Sequence, residues 1–314
     1  MRPETEPESP EEPGGLSVPG SKRNLRAQVS SPRSSFEALE RARDLTFRRT
    51  PGRRVRGETT ALRFINGTGF CTAFSRRVNL PCLWVAICGR RNPRMPVHTH
   101  HDYGIGLTWN LKDSLPEKKL VFYGRVFRRL PGFVSLEYLP YFYRLFAPES
   151  PLSGELPHAA RGILDRLRTH PRQTTAQLRL YGAVYGARRL SKAVFEKAIA
   201  GLQQRFLVVR TEALYDPKFT YVWDLFERQY PAAVKAGRKL SRQQAIDAIL
   251  GKYFGVVLYA RLADVRSLFG LHPEEAREAL ARLAGAGCVI GPVRLASRPG
   301  SWWVSRAFAT DGRP

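Results

Sequence analysis

Two stretches in the second half of the chain repeat one pattern of apolar positions. Val194-Phe-Glu-Lys-Ala-Ile199-Ala-Gly-Leu202 followed by Phe206-Leu-Val-Val209 matches Glu275-Ala-Arg-Glu-Ala-Leu280-Ala-Arg-Leu283 followed by Gly287-Cys-Val-Ile290. The offset is 81 throughout, pairing Ile199 with Leu280, Leu202 with Leu283, Val208 with Val289 and Val209 with Ile290. It also places Tyr221 on Trp302, within the aromatic segments Thr220–Trp223 and Ser301–Val304. Helical spacing followed by a short apolar run predicts a helix and then a strand in each copy. Ile163–Leu167 and Ala245–Ile249 supply an earlier helix to each. Each copy therefore reads as three helices, a strand, a loop (Glu212–Lys218 or Leu295–Gly300) and a second strand. That is the order of a winged helix-turn-helix.

The first half is less regular. Phe36, Leu39 and Arg43 lie at helical spacing, with Ser35 as a possible N-cap and Glu37 in the first turn. Thr60–Gly69 predicts a helix closed by a glycine. Residues 70–90 alternate poorly. Leu120–Arg129 and Ser135–Phe146 read as two aromatic-rich helices separated by Pro131-Gly132, the stripe Tyr138, Tyr141, Phe142 and Leu145 facing the core. Pro148, Pro151, Gly154 and Pro157 punctuate a linker. The expected fold is mainly α with short β-wings, built of tandem winged helix-turn-helix units. Residues 1–34 form a disordered tail, 35–148 a first winged-helix-like or α domain, 149–159 a linker, 160–235 a second winged helix, 240–306 a third and 307–314 a tail.

Composition bears on the partner. Of 314 residues, 51 are Lys or Arg and 27 Asp or Glu, a formal net charge of +24. Residues 1–14 hold five Glu and one Arg, a charge of −4 that leaves +28 on the other 300. Such a field draws polyanions, duplex DNA first among them. The longest clean apolar stretch, Cys82–Cys88, has seven residues, against about 20 for a spanning helix. No membrane segment is expected, and the N-terminus lacks the apolar core of a secretory signal. Four cysteines do not make a disulfide scaffold. A reducing, cytoplasmic and nucleoid-associated setting is expected, with the monomer favoured because no heptad run is present.

The layout over about residues 36–305 resembles the tandem winged-helix DNA glycosylases of the AlkZ/YcaQ type, which unhook alkylated purines and interstrand crosslinks. Phe64–Ser75 sits where that family has a helix followed by Gly-Phe-Val-Gln-x-Asp/Gln, and Phe133–Phe142 resembles the motif closing its first unit. The resemblance implies that the paired polar residues orienting the attacking water fall on Thr72 and Phe74. Phe74 can neither hold water nor stabilise an oxocarbenium ion. The sequence runs only a few residues past the third wing, so the family's C-terminal β-barrel is not expected. The expectation is a relative that binds DNA in a repair or damage-response setting. The alternatives are a glycosylase, a hydrolase of N-glycosidic bonds using other residues, and a winged-helix transcription regulator.

Candidate chemistry outside that motif is sparse. His98-Thr-His100-His101-Asp102 carries metal-ligand chemistry, but no second ligand group accompanies it, so no metal or cofactor is expected. Asp102, Lys112 and Asp113 offer a lysine nucleophile with a carboxylate, suited to a bifunctional glycosylase or a lyase; a solvated turn is the plainer alternative. Cys71 is the one reactive group beside Thr72. The phosphate-contact candidates are Arg48, Arg49, Arg53, Arg54 and Arg56, then Arg76-Arg77, Arg90-Arg91-Arg94, and Arg188-Arg189 with Ser191 and Lys192. The helix after His272 has three acids and reads as a packing scaffold rather than a phosphate binder.

Overall fold

A computed structural model describes residues 36–97, 101–127, 130–148, 156–181, 189–295 and 298–310, and the side chains of 309 and 310 lie outside the description. The expected tail 1–34, most of the linker, His98, His100, Arg188 and residues 311–314 lie outside the described residues.

The chain is mainly helical, with small antiparallel sheets. α1 (Phe36–Thr46) leads into a first series, α2 (Glu58–Thr68), β1 (Phe70–Thr72), α3 (Leu83–Cys88), α4 (Tyr103–Glu117), β2 (Val121–Phe127) and β3 (Leu130–Ser135). After α5 (Leu139–Phe146), the same order returns in α6 (His158–Thr169), β4 (Gln173–Thr174), α7 (Thr175–Tyr181), α8 (Lys192–Gln204), β5 (Val208–Leu214) and β6 (Thr220–Leu225). α9 (Phe226–Gln229) and α10 (Pro231–Gly237) connect to a third series. It comprises α11 (Arg242–Val257), β7 (Tyr259–Ala260), α12 (Leu262–Phe269), α13 (Pro273–Gly285), β8 (Val289–Val293) and β9 (Trp302–Ser305), and α14 (Arg306–Thr310) follows. The three sheets run β1-β3-β2, β4-β6-β5 and β7-β9-β8.

The 81-residue offset relates α8 to α13 at both ends, and β5 and β8 begin at equivalent positions. The Ser191 hydroxyl caps α8 by accepting from the Val194 N–H at 3.3 Å. At the equivalent start of α13 the Glu275 carboxylate reaches back to the His272 N–H at 3.0 Å, after Pro273. The acids of α13 meet cations of the protein itself. Glu275 accepts from Arg242 at 2.7 Å and Glu274 pairs with Arg277, while Arg282 of α13 pairs in turn with Asp247 of α11 at 2.8 Å.

Several expectations are corrected. Leu120–Arg129 is no helix: Val121–Phe127 forms β2, antiparallel to β3, with Phe122 opposite Val134 and Tyr123 opposite Phe133. Of Ser135–Phe146, only Leu139–Phe146 is helical. Gly132 explains how β1 joins this pair. A Cβ there would stand 2.5 Å from the Cys71 carbonyl oxygen and 2.7 Å from the Phe127 ring, so the missing side chain lets β1 close against β3. The second hairpin loop is shorter than expected, because Glu212–Leu214 extends β5. The two-residue strands β4 and β7 are too short to show a period.

The described residues, between 36 and 310, belong to one compact unit. The largest core joins β2, α5 and α9–α13 through Phe122, Phe142, Phe206, Phe226, Ile249 and Leu280. Its rings pack at 5.1–5.2 Å for Phe70–Phe142, Phe122–Phe206 and Phe206–Phe226, spacings at which aromatic pairs add to burial.

Candidate nucleic-acid interface and buried polar cluster

The basic segment after α1 is pinned from inside and open outside. Phe47 and Val55 are buried, and the Val55 N–H donates to the Ala86 carbonyl at 2.9 Å. Gly89, at φ 63°, ends α3 and lies so close that a Cβ would stand 2.9 Å from Arg54 Cβ. The Thr46 hydroxyl donates to the Val256 carbonyl at 3.0 Å, tying α1 to α11. The arginines between these anchors project into a groove of about 920 Å³.

Six cations line that groove: Arg48, Arg53, Arg54, Arg56, Arg63 and Lys252. No carboxylate lines it, and none of the six makes an ion pair among the described residues. Partial burial, together with the charges of Arg63 and Arg53, holds the Arg48 guanidinium below its ordinary range. Arg63 and Lys252 escape a reading of local charge runs. Arg63 is the one cation of α2 and Lys252 lies ten residues beyond Arg242 on α11, and both join the cluster only through packing.

The other predicted cations divide differently. Arg43, Arg49, Arg76, Arg77 and Arg91 line a second hollow of about 550 Å³. There Arg91 binds Asp44 through two bonds of 2.8 Å, and Arg49 lies 3.8 Å from Glu40. Arg76 donates to the Pro93 carbonyl at 2.8 Å and stacks over Trp84. Acids and carbonyls of the chain thus engage much of this set, whereas Arg77, Arg90 and Arg94 are exposed. Arg189 and Lys192 are also exposed, at the start of α8, where Ser191 serves as cap.

The expected catalytic groups separate. Asp102 caps α4, accepting from the Ile105 N–H at 2.8 Å. Lys112 lies ten residues further along α4, about 15 Å at the helical rise, so the two do not form one cluster. His101 is exposed, and among the described residues no group of three His, Cys, Asp or Glu could hold a metal ion. Cys71 is fully buried, and burial pushes its thiol well up, so it is no longer a candidate nucleophile. Thr72 is also fully buried. Its hydroxyl lies 2.6 Å from the Ser75 carbonyl and 3.2 Å from that of Pro81.

Lys112 and Asp113 do come together, with a partner not visible in the sequence. Lys112 Nζ lies 2.7 and 2.8 Å from the two Asp113 oxygens, and Arg210 of β5 reaches the same carboxylate at 2.9 Å. Arg210 also donates to the Lys112 carbonyl at 2.6 Å. The Tyr215 hydroxyl donates to Asp113 at 2.6 Å, and Trp109 Nε1 donates to Tyr215 at 3.1 Å. Lys112 Nζ stands 3.8 Å from the centre of the Trp109 ring. Burial holds the Lys112 ammonium below its ordinary range; Arg210 pushes the same way, and the bond to Asp113 opposes. Burial raises the Tyr215 hydroxyl to about 12, helped by Asp113. A cavity of about 290 Å³ opens beside this cluster, and Phe74 lines it together with Lys112, Tyr123, Arg210, Tyr221 and Trp223.

The sequence profile of the AlkZ-related family matches residues 55–270. The match covers more than half of the chain, which therefore belongs to that family. The solved structure of a Streptomyces sahachiroi DNA glycosylase, AlkZ, is similar in fold, with a TM-score of 0.57 and 12% sequence identity over 89% of this chain and 72% of that one. No curated protein matches by sequence. Among the described residues no helix is long and apolar enough to cross a membrane.

Proposed function

We propose that this protein binds duplex DNA in a repair or damage-response setting, as a monomer, at the nucleoid. The observation that carries the reading is the groove of Arg48, Arg53, Arg54, Arg56, Arg63 and Lys252, six cations around one hollow with no carboxylate beside them among the described residues. Like charges gathered without counter-charge repel one another, and a phosphate backbone relieves that repulsion by displacing counterions. Arginine forks also suit phosphate oxygens.

In this reading the three series spanning 58–135, 158–225 and 242–305 are winged-helix units with hairpin wings. The expected linker 149–159 gives up His158 and Ala159 to α6 and joins the first unit to the second. Membership of the AlkZ-related family supports a setting in DNA repair and favours a second reading, hydrolysis of an N-glycosidic bond. The Thr72–Phe74 segment offers no free polar pair for that hydrolysis.

The test is affinity for a short labelled duplex across a range of salt concentrations. Engagement of most of the six cations gives a log–log slope of about −4 to −5, at roughly 0.9 per phosphate contacted. Binding that is indifferent to salt sinks the reading.

A further inference from the structure

The Lys112 cluster carries more charge than its own architecture requires. Asp113 has one negative charge and Arg210 already pairs with it at 2.9 Å. Arginine stays protonated in proteins, so the Arg210–Asp113 pair is neutral without help. Lys112 adds a second cation to the same carboxylate, only 3% exposed and facing the cavity. Loss of one proton from Lys112 restores neutrality, and no other group of the trio can supply it as readily. The opposite change, protonating Asp113, would strand two cations. Burial and Arg210 act in the same direction on the amine. A desolvated lysine beside a fixed cation is the setting in which an amine becomes a nucleophile at moderate pH.

The cavity limits what the amine can meet. It has about 290 Å³ of space, walled by the rings of Tyr123, Tyr221 and Trp223. A pentose occupies the room of roughly five waters at about 30 Å³ each, about half of that space, so one sugar fits. We infer that Lys112 is an imine-forming amine for the open-chain aldehyde of an abasic site in DNA. This inference rests on the proposal that DNA is the partner.

The step balances without a co-reactant. The free Nζ amine adds to the C1′ aldehyde carbon, and the resulting carbinolamine loses its oxygen as water. One C–O double bond is replaced by one C–N double bond. The proton that the ammonium sheds beforehand passes to solvent. Asp113 fixes the amine through its two short contacts, and the Trp109 ring, which also lines the cavity, packs against it.

Borohydride trapping tests this in two arms, with the full chain. In the first, a duplex carrying one abasic site is incubated with the protein and reduced. In the second, 2-deoxyribose 5-phosphate replaces the duplex, and the modified peptide is mapped by mass spectrometry. The expected result is a covalent adduct in both arms, located on Lys112 and lost in Lys112→Ala and Lys112→Arg. Circular dichroism and a cooperative thermal transition establish that the variants are folded. An adduct confined to other lysines or to the N-terminal amine overturns the inference, and so does the absence of any adduct. Arg53→Ala/Arg56→Ala/Arg63→Ala separates the two readings. It should weaken trapping of the duplex several-fold and leave the sugar-phosphate adduct unchanged. If the wild type fails to bind duplex yet modifies Lys112 with the sugar phosphate, the DNA reading fails and the amine chemistry stands.

Discussion

Arg48 in the turn after α1 and Arg63 on α2 face the same groove, and the charge of Arg63, after burial, is the largest influence holding Arg48 below its ordinary range. Two cations held together without a counter-charge cost energy in the free protein. A ligand that supplies the negative charge recovers that energy.

The first prediction follows from that pair. Arg53→Ala/Arg56→Ala/Arg63→Ala is expected to weaken duplex binding alike for all sequences and to flatten the log–log salt slope by up to about 2.7, at roughly 0.9 per lost contact. Anisotropy titrations at several salt concentrations measure both. A slope that flattens instead on replacing Arg188, Arg189 and Lys192 would move the contact to the start of α8.

Thr72 gives a second prediction. Its hydroxyl lies against the Ser75 and Pro81 carbonyls, and Phe74 has no polar atom on its side chain. Incubation of excess protein with an N7-methylguanine duplex, followed by alkali, should produce no strand breaks that Thr72→Ala removes. Breaks that vanish in Thr72→Ala would show the segment at work. Breaks that vanish only in Asp113→Asn would place the chemistry in the cavity beside Lys112.

Gly132 carries the third. A methyl group there meets the Cys71 carbonyl oxygen at 2.5 Å. That oxygen belongs to backbone paired in the sheet, which cannot withdraw as a flexible side-chain end could. Gly132→Ala should destabilise the fold by about 1–3 kcal/mol, the usual range for overpacking. Urea unfolding checks it, with the midpoint falling at an unchanged slope.

The fourth concerns acid. Burial alone would raise the Glu40 carboxyl, but the Tyr259 hydroxyl, Arg43 and Arg49 outweigh it and hold the group below its ordinary value of 4.5. A carboxylate with a depressed folded-state value stabilises the protein above its unfolded value and loses that contribution as pH falls through the folded one. Stability should therefore drop below about pH 4.5 in the wild type, and less steeply in Glu40→Gln, which starts less stable at pH 7. Thermal unfolding between pH 3 and 7 measures the difference.

Phe142 supports the fifth. It is fully buried and packs against Phe70 at 5.1 Å and Phe127 at 5.8 Å. Phe142→Ala should cost about 3–5 kcal/mol, read as a fall in the urea midpoint.

What the sequence determined by itself was local and repetitive. The equivalence of α8 with α13, the α2 helix with its glycine cap and the buried face of α5 each follow from periodicity within a few turns, because burial on one face of a helix leaves a 3.6-residue trace. Tertiary structure decided what that trace does not contain. The aromatic-rich run Val121–Phe127 reads as a helix and becomes β2 by pairing with β3, and Gly132 then lets β1 close on the other edge of β3. Arg63 and Lys252 join Arg48 because α11 packs against both α1 and α2. Lys112 acquires Arg210 because β5 lies against α4. Charges far apart along the chain interact only after packing brings them within a few ångströms, where removal from water strengthens every pairing and every repulsion.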